Sequence, residues 1–157
     1  MALLTPCAWE IPESTPFFAN LLDMSRTWPD PTRVLVVEDD QATARIIQAR
    51  LEMEGLKVFL AANGVDGLEL LHREDIDLIT TDLMMPAMNG FRLVQEIRDL
   101  PSPKGRVPIL LISSNQNEQD MVRCLAAGAD DYMTKPLSAS VLVERLWRLH
   151  QRASSAG

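Results

Sequence analysis

The sequence predicts an α/β fold: a doubly wound parallel sheet of five strands with helices on both faces. Three observations predict it. From Arg33 onward, short apolar runs alternate with helix-length amphipathic stretches. The runs Val34–Val37 and Ile109–Ile112 are continuously apolar, as in strands covered on both faces of a parallel sheet. The spacing of about 20–30 residues per β/α unit suits right-handed crossovers between parallel strands.

The elements follow in order. Strands are expected at Val34–Val37, Val58–Ala61, Ile76–Thr80, Val107–Ile112 and, more weakly, Asp131–Thr134. Helices are expected at about 41–54, 64–74, 90–100, 117–127 and 138–151. Asp40, Asn63 and Ser138 stand where N-caps of the first, second and fifth helices belong. Gly55 and Gly128 can end the first and fourth. Ile47 and Leu51 form the inward stripe of the first helix, and Leu142, Leu146 and Leu149 that of the fifth. Gly90 suits a tight turn into the third.

Composition narrows the function classes. Of 157 residues, 46% are hydrophobic and 24% charged, an ordinary globular mix. The net charge of −7 argues against a nucleic-acid surface, which needs clustered Lys and Arg. No apolar stretch is long enough for a membrane span, and the N-terminus lacks the basic start of a secretory signal. Cys7 and Cys124 are read as free thiols in a cytoplasmic protein. Residues 1–31 differ from the rest, holding five of the ten prolines and four of the eight aromatic residues. They are read as a partly irregular extension with a short helix near 16–24, either lying on its own domain or docking a partner. Residues 32–152 form the domain, and 153–157 a tail.

In such a sheet, ligands bind beyond the carboxyl ends of the strands. There the sequence places Glu38, Asp39 and Asp40 after the first run, Asp82 after the third, Ser113 and Ser114 after the fourth, and Lys135 and Pro136 after the fifth. Crowded carboxylates repel, and a hard divalent cation such as Mg²⁺ offsets that repulsion while favouring phosphate oxygens. Asp82 is a candidate nucleophile. Lys135 is a point charge suited to a phosphoryl oxygen, and Ser113 can donate to another.

These residues resemble a known family. Val36-Val37-Glu38-Asp39-Asp40, Asp82 through Gly90, Ser113 and Asp131-Tyr132-Met133-Thr134-Lys135-Pro136 look like the receiver domains of bacterial two-component response regulators. The resemblance covers about residues 33–151 and implies a flavodoxin-like strand order, 2-1-3-4-5. It implies that Asp82 accepts a phosphoryl group from a sensor histidine kinase or a histidine phosphotransfer protein. Mg²⁺ would be held by Asp39, Asp82 and the Met84 backbone carbonyl, with Glu38 joining through water; Asp40 would cap its helix. Lys135 would pair with Asp82, and the Lys135–Pro136 bond would be cis. After phosphorylation Ser113 would turn to the phosphoryl group and Tyr132 would move into the space it leaves. That would repack the surface of the fourth helix, fifth strand and fifth helix for a downstream protein or a homodimer.

Other residues carry blander readings. His72 and His150 are expected on helix surfaces, and Cys124 as a small apolar residue. Trp147, with Val143, is expected at the edge of the core or on the output surface. Met84 and Asn115 flank the expected path of attacking water, and apolar Met84 cannot position it, so an acyl phosphate should last minutes or longer. An aspartate-nucleophile hydrolase is disfavoured, because Met84 stands where its second acid is needed. No GxxxxGK[ST] or GxGxxG marks a nucleotide site. The only chemistry expected is the chain's own phosphorylation and dephosphorylation. A pseudo-receiver interaction module, or a receiver cut from a larger regulator or hybrid kinase, is the alternative.

Overall fold

A computed structural model describes residues 26–157. The strands are β1 (Arg33–Val37), β2 (Lys57–Ala61), β3 (Leu78–Asp82), β4 (Ile109–Ser113) and β5 (Asp131–Thr134). The helices are α1 (Gln41–Met53), α2 (Gly64–Arg73), α3 (Gly90–Arg98), α4 (Glu118–Ala126) and α5 (Ala139–Ser155), with a 3₁₀ turn at Lys104–Arg106. All strands are parallel, in the order β2-β1-β3-β4-β5.

Successive side chains of a strand point to opposite faces, and the core divides accordingly. Leu35, Val37, Ile79, Ile109 and Leu111 pack on one side with Leu71 of α2, Leu93 and Ile97 of α3 and Cys124 of α4. Val34, Val36, Leu78, Leu110 and Ile112 pack on the other with Ile47 and Leu51 of α1 and Leu142, Leu146 and Leu149 of α5. The inward stripes of the first and fifth helices are therefore those the sequence predicts.

Two strands begin two residues later than expected, β3 at Leu78 and β4 at Ile109. Pro108 has no N–H to give a ladder, and Asp77 turns its carboxylate back onto the Arg33 N–H at 2.7 Å. At their other ends the ladders take in Asp82, opposite Ile112, and Ser113, opposite Thr134, so these are the last residues of their strands instead of following them. Asp40 and Asn63 cap α1 and α2 through their side chains. Ser138 occupies the cap position of α5 but makes no side-chain capping bond. Asn89 and Asn117 cap α3 and α4, which the sequence reading did not single out. Gly55 and Gly128 end their helices at positive φ, 86° and 115°. α5 continues to Ser155 instead of stopping near 151, since no breaker intervenes, and Ser154 and Ser155 bond back to the carbonyls four residues earlier.

Packing also begins before residue 32. Trp28 is buried in the core beneath α5, and Arg26 bonds Glu144 of α5. The last residues of the expected extension thus pack with the domain. The suggested helix at 16–24 and Cys7 lie outside the described residues.

The segments leading into β4 and β5 are tied by one side chain. The Arg98 guanidinium donates to the carbonyls of Gly105, Val107 and Gly128 and to Asp130 at 2.7–3.0 Å. Asp130 in turn accepts from the Ile109 N–H at the start of β4.

Candidate functional site

The sheet register brings the expected residues together at its carboxyl edge. Asp82 ends β3, beside Ile112 of β4, and Ser113 ends β4, beside Thr134 of β5. Glu38 follows β1, its N–H donating to the Ala61 carbonyl of β2. Carboxylate oxygens of Glu38, Asp39 and Asp82 lie within 4.8 Å of one another. Asp82 and Glu38 are buried, whereas Asp39 is exposed. Such an oxygen-only set fits a hard divalent cation.

One ammonium answers these charges. Lys135 Nζ lies 3.0 Å from Glu38 Oε2 and 3.3 Å from Asp82 Oδ2. The pairing with Asp82 was expected; the shorter contact to Glu38 was not. It depends on two loops 97 residues apart and has no local signature. Glu38 Oε1 accepts from the Asp40 N–H, and Asp82 Oδ1 accepts from the Met84 N–H at 3.3 Å. Asp40 is turned away, capping α1 by accepting from the Thr43 N–H at 2.7 Å, and that bond holds its carboxyl below the ordinary range. The Lys135–Pro136 bond is cis, and the Met84 side chain is exposed.

Burial pushes the Glu38 carboxyl above its ordinary range, opposed by its hydrogen bond to Lys135. Burial pulls the Lys135 ammonium down, but the hydrogen bond to Glu38 and the charge of Asp82 more than offset it, so its pKa is raised. A raised folded-state pKa gives stability that is present below the unfolded value and lost as pH rises through the folded one. Both groups act in that sense. With divalent cations chelated, the thermal midpoint should therefore fall as pH is raised from weakly acidic to neutral, and again at strongly alkaline pH. Scans in chelator test this; a midpoint that climbs with pH over the same span would contradict it.

Ser113 is fully buried, and its Oγ accepts from the Asn115 N–H at 3.0 Å. Tyr132, expected to enter only after phosphorylation, is already inside, its hydroxyl donating to the Asn115 carbonyl at 2.9 Å. Val143 is fully buried on the inward face of α5 and lines no surface, which corrects its place among the interface candidates. Trp147 is half-buried, edge-on to Trp28 with ring centroids 4.9 Å apart. His150 is not a surface residue: it is half-buried beside both indoles, and its Nδ1 is buried without a partner among the described residues. The partner ring of Trp28 comes from the segment read as an extension, so α5 alone could not reveal this cluster. Cys124 is buried, and burial raises its thiol pKa, as suits a core residue.

Residues 34–147 match the response regulator receiver domain. The chain belongs to that family. Receiver domains of response regulators are signalling domains, not classical enzymes. Among curated relatives, the transcriptional regulatory protein CseB of Streptomyces coelicolor is 38% identical over 128 residues, which are 82% of this chain and 53% of that protein. The transcriptional regulatory protein PcoR of Escherichia coli is 37% identical over 123 residues, 78% of this chain and again 53% of the relative. The chain thus spans about half the length of these relatives. A CheY-like receiver domain from Methanospirillum hungatei superposes with a TM-score of 0.76 at 28% identity, covering 81% of this chain and 99% of that one. The receiver domain of a sensor histidine kinase from Pseudomonas aeruginosa does so with a TM-score of 0.70 at 32% identity, covering 77% and 98%; its structure holds magnesium in the active-site cleft. Among the described residues of this receiver domain, no helix is long and apolar enough to cross a membrane.

Proposed function

We propose that this receiver domain is switched by phosphorylation of Asp82. The observation that carries the reading is the position of the Asp82 carboxylate, at the end of β3 beside Lys135 and two further carboxylates. One Asp82 oxygen attacks phosphorus, the bond from phosphorus to a kinase's imidazole nitrogen breaks, and an acyl phosphate forms as the ring, already protonated on its other nitrogen, takes the bonding pair and leaves as neutral imidazole. Lys135 then holds a phosphoryl oxygen. Asp39, Asp82 and the Met84 carbonyl would hold Mg²⁺, which supplies positive charge between the carboxylates and the phosphoryl oxygens. Both Glu38 oxygens already accept hydrogen bonds, which supports contact through water.

Phosphorylation adds roughly −1.5 to −2 charge and three acceptor oxygens. Ser113 turns its hydroxyl to one of them and releases the Asn115 N–H. Tyr132, bonded to the same residue, passes the change to the face of α4, β5 and α5. A groove of about 590 Å³ borders that face, lined by Arg26, Asp131, Val141, Glu144, Arg145 and Arg148 among others, and supports its reading as the surface a downstream protein or second copy meets.

The test is incubation with acetyl phosphate, with and without Mg²⁺, followed by intact mass. One added phosphoryl group that requires Mg²⁺ is expected; none, under conditions that label another receiver domain, would sink the reading. The acyl phosphate should persist for minutes or longer after acetyl phosphate is removed, because Met84 has no polar group for water and the Asn115 amide is engaged by Asp120 and Asn117. Decay within seconds would show that water is positioned by some other group.

A further inference from the structure

The groove beside α5 has an uneven supply of hydrogen-bonding groups. Four arginines line it, Arg26, Arg145, Arg148 and Arg152, together with three acids, Asp130, Asp131 and Glu144. The acids are largely taken. Glu144 receives Arg26 on one oxygen and Arg148 Nε on the other, the latter at 3.0 Å. Asp131 receives Arg145 Nη1 on both oxygens, at 2.9 and 2.7 Å. Asp130 has one oxygen on the Arg98 guanidinium and the Ile109 N–H. The arginines are not taken to the same degree. Each has five N–H donors, yet among the described residues the four make only these four bonds to the acids. Arg145 Nε is buried with no partner among those residues. The surface is therefore rich in donors and short of acceptors, in a chain whose net charge is −7. Arg26 is fixed in place through Trp28, which is 7% exposed and packs edge-on to Trp147 and His150 of α5, with ring centroids 4.9 and 5.6 Å away. Arg26, Arg148 and Arg152 all lie outside residues 34–147, so the likeness to receiver domains does not supply them.

We propose that this groove binds an acidic segment of a partner protein, and that Arg26 and Arg148 select its carboxylates. The inference rests on the reading of this face as a partner surface, but not on Asp82 as the acceptor. Both guanidiniums are partly exposed beyond Glu144. A planar guanidinium meets a carboxylate with two parallel bonds. Val141, exposed on the same lining, offers an apolar contact beside them. A nucleic-acid backbone fits less well. It presents one phosphate charge after another and needs clustered cations, whereas here carboxylates are interleaved with the arginines. Separate carboxylates on a peptide can meet the spare N–H groups and avoid Asp131 and Glu144.

The test titrates the isotope-labelled, unmodified full chain with the acetylated and amidated peptide Glu-Glu-Leu-Glu-Glu, followed by NMR. The peptide Gln-Gln-Leu-Gln-Gln is the control. The glutamate peptide is expected to move the amide resonances of Arg26, Ser140, Glu144 and Arg148, and added salt should weaken its binding. The glutamine peptide should move none of them. Arg26→Ala and Arg148→Ala should each weaken binding about 1.5- to fivefold, the span of an exposed charge pair. Arg26→Lys, which keeps the charge but not the fork, should fall between Arg26→Ala and the native chain. Arg73→Ala, on α2 at the opposite face of the sheet, should bind as the native chain does. No movement with the glutamate peptide, equal movement with the glutamine peptide, or equal weakening in Arg73→Ala would overturn the proposal. So would sedimentation showing that the chain pairs with a second copy through these residues and that Arg26→Ala abolishes the pairing. None of these outcomes bears on phosphoryl uptake at Asp82, so failure here and failure of the acceptor reading are separate results.

Discussion

Asp82→Asn will take up no phosphoryl group under conditions that modify the native chain completely. The substitution preserves shape and leaves an oxygen to accept the Met84 N–H. The carboxamide, however, has no anionic oxygen to attack phosphorus. Glu38 and Asp39 do not take over. Glu38 has one oxygen on Lys135 and the other on the Asp40 N–H, and Asp39 is exposed outside the end of the sheet. The variant should also be more stable than the native chain when divalent cations are chelated. One of three mutually repelling carboxylates has gone, and Lys135 retains Glu38. Intact mass reads the first result and a thermal scan the second. Modification of Asp82→Asn would move the acceptor to another residue.

Gly90→Ala is expected to destabilise the fold by roughly 2–3 kcal/mol, at the upper end of overpacking costs. A methyl group on Gly90 would stand 2.2 Å from the Asp82 carbonyl oxygen and 3.0 Å from the Leu83 Cα. Both are backbone atoms, and no rotamer relieves the clash. The gain in helix propensity, at most about 1 kcal/mol, is too small to compensate. Because the obstructing atom belongs to Asp82, phosphoryl uptake should slow as well. Urea unfolding with an unchanged slope measures the first effect. A loss under about 0.5 kcal/mol would mean that α3 does not approach β3 so closely.

Gly90 also marks a limit of what its own neighbourhood could disclose. A glycine before a helix suggests a turn, yet the structure needs it for the passage of α3 across the end of β3. The strands were legible because runs such as Val34–Val37 are buried on both faces, and their order of functional endings followed once they were parallel. Their starts were less so: Ile76 and Val107 are apolar and buried, yet they precede ladders that Asp77 and Pro108 delay. Asp82, Asp39 and Lys135 could be placed at one edge because each follows or closes a strand. The contact of Lys135 with Glu38, the burial of His150 against Trp28 and the bond of the Tyr132 hydroxyl to the Asn115 carbonyl all depend on how distant loops and side chains meet. No local pattern encodes them. The bonds of Arg98 end mostly on backbone carbonyls, which any residue type could have supplied.

Those bonds bear on how α4 can move. Its carboxyl end runs into Gly128, whose carbonyl is held by Arg98 at the amino edge of the sheet, while its amino end hangs from Asn115 at the opposite edge. A rod clamped at one end and hooked at the other cannot slide lengthwise when the hook opens. Any displacement of α4 is then expected to be a swing about Gly128, greatest at its first turn and least at its last.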